Sequence, residues 1–180
     1  MTTLFLKRLC PTALLLTLAF APLACKKEKI RVQQTEEEAP RLASTVHMGD
    51  ARVQPQLVNG FYGIEDNAWR WTARQFTVVL RPPFGAAQKG GVLKVQLTVP
   101  DPVIQKLKTT TLSASINGHA LPPETYTQQG EYTFTRDVPA NLLTGESAKV
   151  DFQLDKAIPP SGNDMRELGI VVLSIGLEPK

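Results

Sequence analysis

Residues 92–99 read VLKVQLTV. Leu93, Val95, Leu97 and Val99 alternate with Lys94, Gln96 and Thr98. Successive side chains on a strand point to opposite faces, so this segment has one apolar face and one wet face. That is the mark of an antiparallel sheet packed on one side. The same period recurs outward in both directions. Phe76, Val78 and Leu80 share a side of residues 74–80, and Leu112, Ala114 and Ile116 alternate with Ser113 and Ser115. Tyr132 and Phe134 alternate with Thr133 and Thr135, and Val150, Phe152 and Leu154 with Asp151 and Gln153. Residues 169–177 are more continuously apolar and read as a central strand. Turn signals separate the runs at Pro82-Pro83, Gly90-Gly91, Pro100-Asp101-Pro102, Asn117-Gly118 and Pro159-Pro160. Asn117-Gly118 predicts a two-residue hairpin, because both residues tolerate positive φ. Helical turns are expected only near residues 103–108 and 140–143. Six or more short strands across residues 45–180 predict an all-β chain folded as a single antiparallel β-sandwich.

Upstream of that domain the texture differs. Lys7 and Arg8 precede an apolar run over residues 9–23, which ends at Leu23-Ala24-Cys25 and turns polar at Lys26-Lys27. A basic start, a short apolar stretch and a small residue before a cut make an export signal. The run has 15 residues, short of the about 20 that cross a bilayer. Cysteine at the cut resembles the lipobox of bacterial lipoproteins, with Pro22 standing where an aliphatic residue is usual. The expectation is a signal peptide over residues 1–24 and lipidation of Cys25. Cleavage after Ala19-Phe20-Ala21 and an uncleaved anchor are the alternatives. By the lipoprotein resemblance, Lys26 after the cysteine implies a cell-envelope location, in the outer membrane facing the periplasm if the host is Gram-negative.

Residues 25–44 carry the lipidated cysteine and a charged, apolar-poor stretch, KKEKIRVQQTEEEAPRLAS. Such composition reads as a disordered, solvated tether, spanning on the order of 25 Å as a coil. Without residues 1–24 the chain holds 18 basic and 17 acidic residues. That balance gives no electrostatic case for nucleic acid as a partner. Cys10 falls in the signal and Cys25 at the cut, so the domain has no thiol for a disulfide.

Two clusters stand out within the domain. Gly60-Phe61-Tyr62-Gly63-Ile64-Glu65 runs into Trp69-Arg70-Trp71-Thr72, and Asn163-Asp164-Met165-Arg166-Glu167-Leu168-Gly169-Ile170 precedes the last strand. Ser115-Ile116-Asn117-Gly118 and Val138-Pro139-Ala140 lie between them. In this order the residues resemble a jelly-roll-like, galactose-binding-like β-sandwich module of bacterial envelope proteins, some of which carry glycosyltransferase domains. The resemblance spans about residues 57–177. It implies a jelly-roll-like sandwich; it does not by itself imply sugar binding.

Trp69 and Trp71 share one strand face and Arg70 takes the other. The two tryptophans read either as core anchors or, with Tyr62 and Phe61 beside them, as an exposed platform for a sugar ring. Glu65, Arg70, Arg166 and Glu167 read as structural ion-pair candidates, since a buried arginine needs a carboxylate. Asn163, Asp164 and Arg166 read alternatively as a polar ligand site at a sandwich end. His47 and His119 lie in no metal-ligand spacing, and no nucleophile elbow or phosphate loop is present, so no metal, cofactor or catalytic residue is expected.

The sequence thus predicts a lipid-anchored, non-enzymatic envelope protein. Cys25 holds it to the membrane and its sandwich binds a carbohydrate or another envelope ligand. The alternative is a structural or assembly lipoprotein docking onto an envelope protein complex. A glycoside hydrolase-like enzyme is a distant third and needs two opposed carboxyl groups.

Overall fold

A computed structural model describes residues 41–180. The expected signal segment, Cys25 and the tether as far as residue 40 lie outside the described residues. Among those described, nine strands form: β1 (Thr45–His47), β2 (Leu57–Phe61), β3 (Arg70–Leu80), β4 (Gly91–Val99), β5 (Thr110–Ile116), β6 (His119–Tyr126), β7 (Gly130–Val138), β8 (Ala148–Leu154) and β9 (Val171–Pro179). Helix α1 (Ala86–Lys89), helix α2 (Asp101–Leu107) and 3₁₀ turns at Ala51–Gln56 and Ala140–Leu142 fill the connections. The helical turns expected near residues 103–108 and 140–143 are both present.

All the pairings are antiparallel, along the path β6-β5-β8-β3-β9-β4-β7, with β1 added to β9 and β2 to β3. The chain is an all-β, antiparallel sandwich that is nearly closed. One layer holds β2, β3, β8, β5 and β6; the other holds β1, β9, β4 and β7. The continuously apolar segment forms β9, flanked on both sides and buried over most of its length. Asn117 and Gly118 both take positive φ and close the β5–β6 hairpin.

β3 belongs to both layers. Arg70 and Trp71 pair with Val172 and Val171 of β9, whereas residues 75–80 pair with β8. Between these partners the ladder has a step, and its backbone groups find other partners, as buried amides must. Glu167 Oε2 accepts from the Arg74 N–H at 3.0 Å, and Arg74 Nε donates to the Leu154 carbonyl at 3.2 Å. Gly169 lies against the same step: its N–H donates to the Thr72 carbonyl at 2.7 Å.

The opposite seam, between β6 and β7, is closed by side chains. Arg136 donates to the carbonyls of Pro122 and Pro123 at 2.6 and 3.0 Å and to Glu124 Oε2 at 2.9 Å. Its guanidinium lies over the Phe134 ring, and Tyr126 and Tyr132 touch beside it. Proline cannot donate to a ladder, and β6 carries Pro122 and Pro123 because it is an edge strand.

The alternating residues fill the space between the layers. Phe76, Val78 and Leu80, Leu93, Val95 and Leu97, and Val150 and Leu154 are all buried, and Phe76 stacks on Phe152 with centroids 4.8 Å apart. Each such side chain contributes about 1.5–3 kcal/mol, which a domain without disulfides needs. The sandwich includes residues before Thr45. Gln56 Nε2 donates to the Ala43 carbonyl and its Oε1 accepts from the Ala43 N–H, while Leu177 N–H donates to Ser44. Ala43 and Ser44, which composition alone assigns to the tether, are part of the sandwich.

Gly169→Ala tests the step in β3. A methyl group there would stand 2.6 Å from Leu154 Cδ1, 2.8 Å from Thr72 Oγ1 and 2.9 Å from the Ala73 carbonyl. Overpacking of this kind costs about 1–3 kcal/mol, read as a lower denaturant midpoint. Gly63→Ala, where nothing lies within 4 Å, is the control expected to stay near wild type.

Candidate functional site

The two sequence clusters meet at one end of the sandwich. Residues 65–69 form a tight hairpin: Ala68 N–H donates to the Glu65 carbonyl, and Asp66 and Asn67 both take positive φ. Short Asx side chains tolerate that conformation. Gly49 lets the hairpin settle, since a Cβ there would lie 2.2 Å from the Asn67 carbonyl oxygen. The loop ahead of β9 folds over the hairpin. Arg166 spans the two: Nε and Nη2 donate to the two Asp164 oxygens at 3.0 and 2.9 Å, and Nη1 donates to Glu65 Oε1 at 2.8 Å. Its guanidinium faces the Tyr62 ring, 5.5 Å from the centroid, and the Tyr62 hydroxyl donates to the Glu167 carbonyl at 2.9 Å. Hydrogen bonds from the Arg166 side chain and backbone hold the Asp164 carboxyl below its ordinary value. Glu65 and Arg166 therefore form the ion pair expected of them, with Asp164 as a third member.

Two of the four ion-pair candidates behave differently. Arg70 is 4% exposed, yet among the described residues its partners are neutral oxygens. Nε donates to the Met48 carbonyl, and Nη1 to the Tyr62 carbonyl and Gln54 Oε1, each at 3.0 Å. Burial lowers its pKa, but carbonyl dipoles take the role expected of a carboxylate. Glu167 caps a backbone N–H at the step in β3 instead of pairing with an arginine side chain.

Trp69 and Trp71 lie on one side of β3 in edge-to-face contact at 6.5 Å, both half-buried. Trp71 packs against the core. Neither is a fully buried core anchor nor fully exposed, and it is Arg70 between them that is enclosed. Asn163 is exposed and makes no side-chain hydrogen bond among the described residues.

A second surface lies beside this cluster, on the outer face of the layer holding β2, β3, β8 and β5. Register brings the wet positions of these strands into two rows. Ser115, Asp151, Thr77 and Asn59 form one; Ser113, Gln153 and Gln75 form the other. Together with Lys149 they line an open depression of about 480 Å³. Thr77 donates to Asp151 Oδ1, which also pairs with Lys149 Nζ at 2.9 Å. The side chains of Asn59, Gln75, Gln153, Ser113 and Ser115 have no hydrogen-bond partner among the described residues, so their donors and acceptors face outward. A second depression shares Asn59 and Gln75 and runs on to Arg74 and Glu167, next to Tyr62. Alternation marks Gln75, Thr77, Ser113, Ser115, Asp151 and Gln153 as wet in the sequence, Asn59 lies outside those runs, and only the register shows that they adjoin.

No protein family matches the chain, and no curated protein matches it. Among solved structures, the chain resembles part of a family GH115 4-O-methyl-α-glucuronidase with specificity for decorated arabinogalactans. The likeness is at 9% identity and a TM-score of 0.41, over 77% of this chain and 18% of that one. It also resembles a structure of CBM51-2 with GlcNAc and INT domains from Clostridium perfringens ZmpB, at 12% identity and TM-score 0.37, over 76% and 28%. A CBM4 structure aligns at 12% identity and TM-score 0.34, over 76% and 85%. The chain spans less than a third of the first two proteins' length. At these TM-scores the likenesses carry no assignment.

The Arg166 clamp makes a titration prediction. A carboxyl whose folded pKa is lowered adds stability that is complete above its ordinary value of 3.8 and is lost as pH falls through the lower folded value. In Arg166→Gln the Asp164 carboxyl should titrate higher than in wild type by NMR, since only the backbone N–H bond at residue 166 remains, and amide exchange in residues 156–168 should speed up. An unmoved Asp164 titration would refute the clamp.

Proposed function

We propose that the protein is a lipid-anchored envelope protein whose sandwich binds a carbohydrate across the outer face of β2, β3, β8 and β5, without transforming it. The observation that carries this reading is the paired rows of outward amides and hydroxyls. Asn59, Gln75 and Gln153 each offer a donor and an acceptor, and Ser113 and Ser115 stand alongside in one depression of about 480 Å³. Neighbouring hydroxyls of a sugar ring demand that alternation of donors and acceptors, and a concave site supplies it from several strands at once. The trough continues past Gln75 to Arg74 and Glu167, whose carbonyl accepts from the Tyr62 hydroxyl. The carboxylates at that end are already engaged: Asp164 and Glu65 by Arg166, and Glu167 by the Arg74 backbone. This supports a binding role over general acid–base work.

A second reading, docking onto an envelope protein complex, is favoured by the exposed Met165 in the loop ahead of β9. Anchoring at Cys25 is part of both readings and rests on the sequence at residues 7–27.

Binding of residues 41–180 to an array of bacterial envelope glycans tests the choice. Gln75→Ala and Gln153→Ala, each checked for folding, should weaken saturable glycan binding by about tenfold, the effect of one or two lost hydrogen bonds. Loss only in Trp69→Ala would move the sugar to the aromatic patch, and no binding to any glycan would favour the docking role. Palmitate labelling of the full chain should disappear in Cys25→Ser; labelling that survives would sink the anchor.

A further inference from the structure

Phe84 is fully exposed, the most exposed large apolar side chain among the described residues. It sits in Arg81-Pro82-Pro83-Phe84-Gly85, between β3 and β4. Two prolines fix the backbone before it, and Gly85 takes positive φ after it. The ring is therefore presented on a stiff loop.

The surroundings of the loop say what it faces. Arg81 N–H donates to the Ala43 carbonyl at 3.0 Å, so the N-terminal chain leaves the sandwich at the foot of this loop. Arg41 and Leu42 line an open depression there with Arg81 and Pro82. Arg81 and Lys89 bring positive charge to the loop, while Lys180 pairs with Asp137 at 3.2 Å and Glu146 lines the depression. A projecting aromatic among basic side chains suits a bilayer interface, where rings settle at headgroup level and lysine or arginine meets anionic lipid.

We propose that the Phe84 loop is a second membrane contact, with Phe84 entering the interface of an anionic bilayer and Arg81 and Lys89 meeting its headgroups. The proposal rests on the anchoring at Cys25. One phenylalanine is too little to bind a membrane alone, but behind an anchor its insertion is intramolecular and needs only a small free energy. If the charged stretch between Cys25 and Arg41 is extended or coiled, its length is on the order of 20 Å or more, enough for the loop to meet the surface that holds the anchor. The Tyr62–Arg166 end, at the far end of β3, would then point away from the bilayer.

The test uses the full chain, extracted from the membranes of a bacterial host and reconstituted into two kinds of vesicle. One contains brominated phosphatidylcholine with phosphatidylglycerol, the other brominated phosphatidylcholine alone. Phe84→Trp adds a reporter on the loop, while the native Trp69 and Trp71 lie about 30 Å away along β3. The expected result is flotation of both chains, bromine quenching and a blue shift of emission in the Phe84→Trp chain beyond wild type, and weaker quenching without phosphatidylglycerol. Flotation without added quenching overturns the membrane contact and leaves the anchor intact. A chain that does not float, or that floats equally as Cys25→Ser, overturns the anchoring reading and the contact that rests on it. Equal quenching in both vesicle types overturns the role given to Arg81 and Lys89.

Discussion

A strand that passes from one layer of a sandwich to the other must leave its first partner before it meets its second. β3 does so between Trp71 and Gln75. The backbone groups exposed there sit beside the core, where an unpaired amide costs about as much as a lost hydrogen bond. The loop ahead of β9 supplies what is needed: a carboxylate at Glu167 for the Arg74 N–H, and a residue without a side chain at Gly169, so that two backbones can meet. That loop must itself be held in place, and the Arg166 clamp on Glu65 and Asp164 holds it. The residues that looked most like a ligand site in the sequence are thus in large part the support for this crossing.

The same crossing shapes the outer face. Because β3 leaves β9, its later half can pair with β8 on one side while β2 covers the other. Gln75 and Thr77 then continue the rows begun by Ser113, Ser115, Asp151 and Gln153. The polar depression is a consequence of where the strand changes partners, and the Arg136 closure of the far seam lets both layers share one core.

Much of this was legible in the chain. Period-two patterning identifies β3, β4, β5, β7 and β8, and the continuous run identifies β9, because burial on one face or two writes itself directly into residue choice. β6 does not show in the period-two pattern, because Pro122 and Pro123 cannot donate to a ladder and fit a strand only at a sheet edge. The sequence marks Glu65 and Arg166 as ion-pair candidates together with Arg70 and Glu167, without saying which of them meet. The lodging of Arg70 among carbonyls could not be anticipated, since Met48 and Tyr62 offer backbone oxygens that every residue has. Nor could the rows of the depression, because alternation gives each strand's wet side without saying which wet sides lie next to one another.

The way the chain joins the sandwich has a mechanical meaning. Load applied at the N-terminal side of the sandwich would pass first through residues 43–47. Here β1 offers only three pairs with β9, a weak joint by itself. Gln56 holds Ala43 from both sides and reaches the Val79 carbonyl, while Arg81 and Leu177 bind the carbonyls of Ala43 and Ser44. A pull on the N-terminal chain would therefore be shared among β3, β9 and the turn at Ala51–Gln56 before it could peel β1 away.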